Sequence, residues 1–192
     1  MSSFLSTLRR HPTKNQSRSQ APFAAVAPLL GAGLLLGASG GFVLAAALTL
    51  SVALNLPIGL WWEALVQAHG HLQLYGWAGL FVLGVAFHFL PRLRGAPLRF
   101  PRLIPWIVGA QVASLLLRAF SGPLTTITGA LVWRIGLVLS GVLECFAIGS
   151  VLAMLVATAR QQPTLRSRPA LWSVLPFLTC ALTSLGFASV VN

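Results

Sequence analysis

The sequence predicts an all-α integral membrane protein, a bundle of about five transmembrane helices. Two observations carry that class. The 192 residues are 56% apolar and only 8% charged, whereas a soluble domain carries about a quarter charged residues. The apolar residues also come in long unbroken runs, as bilayer-spanning helices require, and do not alternate with polar ones.

Residues 1–22 form a basic tail without acids, holding Arg9, Arg10, His11, Lys14 and Arg18. Its composition is that of an organelle transit peptide, but a cytoplasmic flank before the first span is the simpler account. Residues 23–192 then form the transmembrane bundle. The first apolar segment covers about 23–56 and is too long for an upright crossing, so a tilt, an interfacial turn before Pro28 or a kink at Gly40-Gly41 is expected. The second covers about 59–90, the third 103–120, the fourth 128–159 and the fifth 170–191. Pro57, the stretch from Pro91 to Pro105, Ser121-Gly122-Pro123, and the run from Gln161 to Pro169 punctuate them.

Positive charge orients the bundle. Arginines and lysines crowd the tail, the loop holding Arg92, Arg94, Arg99 and Arg102, and the loop holding Arg160, Arg166 and Arg168, while the alternate loops hold essentially none. With five spans all three basic regions fall on one side, which places the N-terminus inside and the C-terminus outside the cell (inner) membrane. The net charge of +11 is thereby explained by topology and by attraction to anionic membrane lipids, and nucleic acid binding is not implied. Cys145 and Cys180 lie inside apolar runs without metal-ligand spacing, so neither a disulfide framework nor a cysteine metal site is expected.

The chemistry concentrates in the second segment, which holds His69 and His71. Polar side chains at membrane depth are expensive and usually functional, and imidazole is the commonest protein ligand of metals and haem. His69 lies about 15 Å below the segment's outer end. The two histidines differ by about 200° around a helix and therefore face different partners. His69 shares its stripe with Gln73 and Gly76, where a flat macrocycle or another helix could approach closely; His71 shares its stripe with Tyr75. Residue chemistry leaves two readings open: one or both histidines ligate a metal, or both serve helix packing.

The run from Ala68 to Leu98 resembles the histidine helix of NnrS-type haem–copper membrane proteins. It is similar also to the haem-ligating second helix of haem-copper oxidase and nitric oxide reductase large subunits. His69, His71, Gly76, Trp77, Pro91, Gly95 and Pro97 carry the likeness. The resemblance covers about 24–120 and is specific only in the histidine helix. It implies b-type haem held near the outer membrane surface by His69 or His71. Those families have about twelve spans, and here the third to fifth segments contain no histidine. A copper-containing catalytic centre is thus unsupported from this chain alone, no enzyme activity is assigned, and bis-histidine ligation requires a second copy (a homodimer) or another membrane subunit.

Two arginines, Arg118 and Arg134, fall near the outer level and are candidates to anchor haem propionates, with Glu63 completing the network; the alternative is an ordinary ion pair or snorkelling. Glu144 sits near mid-depth in the fourth segment, beside Ser140, with Gln111 and Ser114 as candidate partners. It is expected either to relay protons or to link helices. The function expected is a haem-bearing role in electron transfer, gas or haem sensing, or a respiratory-type complex. The alternatives are a non-redox accessory subunit and a small transporter using buried His and Glu.

Overall fold

The computed structural model describes residues 23–161, without the side chains of Leu93 and Arg94. The basic tail, the fifth apolar segment and Cys180 lie outside the described residues. Within them are four helices long and apolar enough to cross a membrane: α1 (Phe23–Ala53), α2 (Trp61–Arg92), α3 (Pro101–Thr128) and α4 (Leu131–Ala159). This is a multi-pass, all-α membrane protein.

Its surface is the inverse of a soluble protein's. Leu35, Leu60, Trp106, Leu131 and Val138 point outward and are mostly exposed, while the interior collects Val26, Leu29, Phe87, Ile107, Met154 and Leu155. Large apolar groups on the outside belong in hydrocarbon; such a contiguous surface would be an interaction patch or an aggregation hazard in water. The helices follow one another in space. α1 packs on α2, α2 on α3, and α3 along its length on α4, with α1 also touching α3 and the second half of α2 reaching α4.

α1 crosses with its expected irregularity. A π-helical segment, Leu36–Phe42, contains Gly37, Gly40 and Gly41, and a second one, Leu72–Gly79, lies in α2. The two segments pack on each other. Glycine makes that approach possible: a Cβ at Gly37 would come within 2.9 Å of Trp77, and one at Gly40 within 2.8 Å of Leu72. Pro28 stands inside α1, and the described residues before it, from Phe23, are helical and form no separate turn. π segments occur frequently at functional sites, and these flank the histidines.

α3 differs from the sequence expectation. Ser121-Gly122-Pro123 does not end it; the helix runs on to Thr128 and closes at Gly129, whose φ of 66° suits glycine at a left-handed cap. Proline removes one backbone hydrogen bond, here the one to the Ala119 carbonyl, and packing inside the bundle offsets that loss. Thr125 Oγ1 donates to the Ser121 carbonyl at 2.6 Å and Thr126 Oγ1 to the Pro123 carbonyl at 2.7 Å, both within the same helix. Ser121 and Pro123 are buried, and Ser121 packs against Gly136 of α4, where an added Cβ would meet the Ser121 hydroxyl. The connection to α4 is therefore only Gly129 and Ala130, and α4 begins at Leu131, a few residues later than expected.

At the opposite end sit Arg92, Arg99, Arg102 and Arg160. There α2 closes on left-handed Gly95, the Arg99 amide donates to Thr158 Oγ1 at 3.1 Å, and Gln161 Nε2 donates to the Pro97 carbonyl at 2.8 Å. The basic loop is thus tied to the end of α4. Among the described residues, Arg92, Arg99, Arg102 and Arg160 thus share one end of the bundle.

Candidate functional site: a polar layer between α2, α3 and α4

Extending α3 to Thr128 changes the depth of its arginine. Arg118 lies about ten residues from that end, roughly 15 Å deep at 1.5 Å per residue, and is not terminal as the sequence suggested. His71 is about as far from Trp61, and Ser140 about as far from Leu131. The three side chains therefore share one level.

His71 is 8% exposed and fully engaged. Its Nδ1 lies 3.2 Å from the Gln67 carbonyl and its Nε2 lies 3.1 Å from Arg118 Nη1. A carbonyl can only accept and a guanidinium can only donate. The bonds therefore place the imidazole proton on Nδ1 and leave Nε2 accepting from Arg118. The Tyr75 ring stacks on the imidazole, with centroids 5.1 Å apart and planes 25° apart. Arg118 Nε also donates to Ser140 Oγ at 3.4 Å, and Ser114 Oγ donates to the Ser140 carbonyl at 2.9 Å. This chain of contacts links α2 to α3 and α3 to α4.

Glu144 lies one turn below Ser140 and is fully buried. Neither of its carboxyl oxygens has a hydrogen-bond partner among the described residues. Ser114, weighed from sequence as a partner of Glu144, bonds Ser140 instead.

His69 faces the other way, as the spacing required. Its Nδ1 lies 2.9 Å from the Gly41 carbonyl of α1, which fixes the proton on that nitrogen. Nε2 has no hydrogen bond among the described residues, and the side chain is half-buried. Next to it, a Cβ at Gly70 would meet nothing within 4 Å. A histidine whose one nitrogen is anchored on a carbonyl while the other presents its lone pair is the usual arrangement of a metal ligand.

The remaining expected site residues do not gather around one histidine. Gly76 is buried against Leu36 and Leu115, so a helix, not a cofactor, makes the close approach there. Gln73 packs on Gly41 with its Oε1 buried and unpartnered among the described residues. Arg134 is exposed in the first turn of α4 and lies about 10 Å shallower than Arg118. Glu63 is exposed in the first turn of α2, and neither it nor Arg134 joins the Arg118 layer. Cys145 is exposed on the flank of α4, not buried. His88 lies toward the basic end between Phe23 and Phe89. Among the described residues no three His, Cys, Asp or Glu side chains come together as a metal cage.

Several groups escaped the sequence reading. The Gly41 carbonyl carries no side-chain signal at all. The Ser114–Ser140 link and the Arg118–His71 bond depend on helix rotation, and only the polarity of Ser, Arg and His inside apolar runs hinted at them. A cavity of about 170 Å³ opens beside Arg118 and His71, between α2, α3 and Leu137 of α4. It is smaller than the roughly 300–1,000 Å³ of typical ligand pockets, so it does not take a porphyrin. No known protein family, curated protein or solved structure matches this chain, and the identity that stands is the one its fold carries, a multi-pass, all-α membrane protein.

Proposed function

We propose that this protein is a membrane haem protein in which His69 supplies an axial ligand to b-type haem. One observation carries the reading: Nδ1 of His69 is tied to the Gly41 carbonyl at 2.9 Å, so Nε2 presents a lone pair on the half-exposed flank of α2. His71 cannot serve equally, because its Nε2 already accepts from Arg118. The residues fit an axial ligand better than an enclosed haem pocket. The α1 side of α2 is filled around Gly76 by Leu36, and the cavity beside His71 is small. His69 would therefore hold haem on the open flank beside Gly70, and a second copy or another membrane subunit would supply any further ligand.

Haem supplies one-electron or gas-binding chemistry when bound. The chain's own contribution is to orient His69 through Gly41 and to surround it with hydrocarbon. In this reading Arg118 serves His71 and not a propionate. The role is electron transfer, gas or haem sensing, or membership of a respiratory-type complex.

The test is an absorption spectrum of the full-length protein purified in mild detergent, before and after incubation with haemin. A Soret band that is lost in His69→Ala and kept in His71→Ala is the expected result. A protein that stays colourless after haemin, or a band indifferent to His69→Ala, overturns the proposal. A colourless protein would favour a second reading, a non-redox subunit, because His69–Gly41 and His71–Arg118 each tie one helix to the next.

A further inference from the structure

Glu63 and Glu144 are the two acidic residues of the chain, and their settings are opposite. Glu63 is exposed in the first turn of α2. Glu144 lies about thirteen residues beyond Leu131, roughly 20 Å into α4. It is fully buried, and among the described residues neither carboxyl oxygen is hydrogen-bonded. An ionisable side chain at membrane depth is costly and marks a functional position by default. A buried carboxyl that makes no hydrogen bond is costlier still. A group kept only to link helices would use its oxygens, and these are unused.

The surroundings serve both protonation states in part. Arg118 of α3 and Tyr75 of α2 are the titratable groups whose charge reaches Glu144. Arg118 is itself bonded to His71 of α2 and to Ser140, and Cys145, the neighbour on α4, is exposed on the flank. The carboxylate has a cation near it but no donor. The acid forgoes that attraction but carries no charge into hydrocarbon. The buried amide of Gln111 lies beside the carboxyl; an amide both donates and accepts, so it can turn to serve either form.

The polar groups lie to one side of Glu144. Toward Leu131 come Ser140, one turn away, Ser114 bonded to it, and Arg118. Beyond them opens the cavity of about 170 Å³ with Gln67, Thr125 and Thr126 in its wall, space for about five waters at roughly 30 Å³ each. Toward the basic loops the buried residues of α4 are Ala147, Val151, Met154 and Leu155, and the next buried polar side chain of that helix is Thr158.

We infer that Glu144 is an exchangeable proton-binding site, loaded and emptied from the end of the bundle opposite the basic loops by way of the cavity beside Arg118. Loading forms one O–H bond on a carboxyl oxygen, with a proton delivered by solvent water entering the cavity. Unloading returns it the same way, because α4 buries only apolar side chains between Glu144 and Thr158. The layer gains one positive charge on loading, and Arg118 keeps its own proton throughout. The site is separate from His69, which faces α1, and it stands whether or not haem binds there.

With two acidic side chains in the whole chain, the carboxyl region of the infrared spectrum reads Glu144 directly. Full-length protein carrying Glu63→Gln is titrated in detergent and then transferred to heavy water. A protonated carboxyl has a carbonyl stretch apart from the amide bands, and the stretch drops in heavy water. Expected is a band that grows as pH falls, drops in heavy water and is lost when Glu144→Gln is added. The C-terminal carboxyl is common to both proteins and cancels in their difference. Labelling glutamate with a heavy side-chain carboxyl carbon should shift the same band without altering the fold, since Glu144 is then the one glutamate left. The route is read from the rate of the heavy-water shift. Gly122→Leu fills the cavity from its wall, where a Cβ meets nothing within 4 Å, and should slow the shift several-fold. Gly31→Leu on α1, equally unobstructed, should leave it unchanged. Helical amide bands like those of the parent show that the variants are folded. A spectrum without a pH-dependent carboxyl band, or a band indifferent to the glutamate label, would overturn the inference. Equal exchange rates in Gly122→Leu and Gly31→Leu would overturn the route.

Discussion

Gly37→Ala tests whether α1 and α2 are held together by the absence of side chains. An added Cβ would lie 2.9 Å from both Cβ and Cγ of Trp77. Carbon atoms pack best at about 3.5–4.0 Å, so the helices must part locally by roughly 0.6–1.1 Å. The indole could rotate away, but the Trp77 Cβ is fixed to the backbone of α2, and rotation does not relieve that contact. Forcing one extra carbon into a packed interface costs about 1–3 kcal/mol. Alanine itself favours a helix over glycine by about 0.5–1 kcal/mol, which would mask part of the loss. Gly31→Ala supplies the control: it lies in the same helix, and its Cβ would meet nothing within 4 Å. The propensity gain is common to both, so the two variants should differ by about 1–3 kcal/mol, Gly37→Ala being the weaker. Reversible unfolding in mixed detergent micelles, followed by tryptophan fluorescence, reads the difference. A Gly37→Ala variant as stable as Gly31→Ala would refute the close approach of the two π segments.

Two further expectations follow from the same packing. Removing His71 takes an acceptor from a buried cation, which costs about 1–3 kcal/mol, whereas His69→Ala removes one interhelical bond worth roughly 0.6–1.7 kcal/mol. A double-mutant cycle should show His71→Ala partly rescued by Arg118→Leu; additive effects would mean that the 3.1 Å contact contributes nothing to stability. In a Cys180→Ser background, Cys145, exposed on the flank of α4, should react with a membrane-soluble maleimide and resist an impermeant one. Equal labelling by both would place that flank in water and not in hydrocarbon.

The membrane class and the common side of Arg92, Arg99, Arg102 and Arg160 were legible without coordinates. Each rests on a property that a run of residues carries by itself: apolar length against bilayer thickness, or charge that stays out of hydrocarbon. The opposed directions of His69 and His71 were legible for a similar reason, because two positions on any helix point to different sides. Ser121-Gly122-Pro123 was misread because local propensity marks a breaker, while burial of Ser121 and Pro123, with Ser121 against Gly136 of α4, overrides it. That one difference lowered Arg118 from the membrane edge to the level of His71 and made the polar layer possible.

Sequence alone determined that this chain crosses a membrane several times and which few polar side chains it carries to depth. It could not determine their partners. Whether Arg118 meets His71 or a cofactor, whether Gly76 faces a helix or open space, and which imidazole nitrogen keeps its lone pair all depend on how whole helices rotate and slide against one another. Small residues and π turns set those rotations across distances of chain that no local pattern encodes, and only the packed bundle decides them.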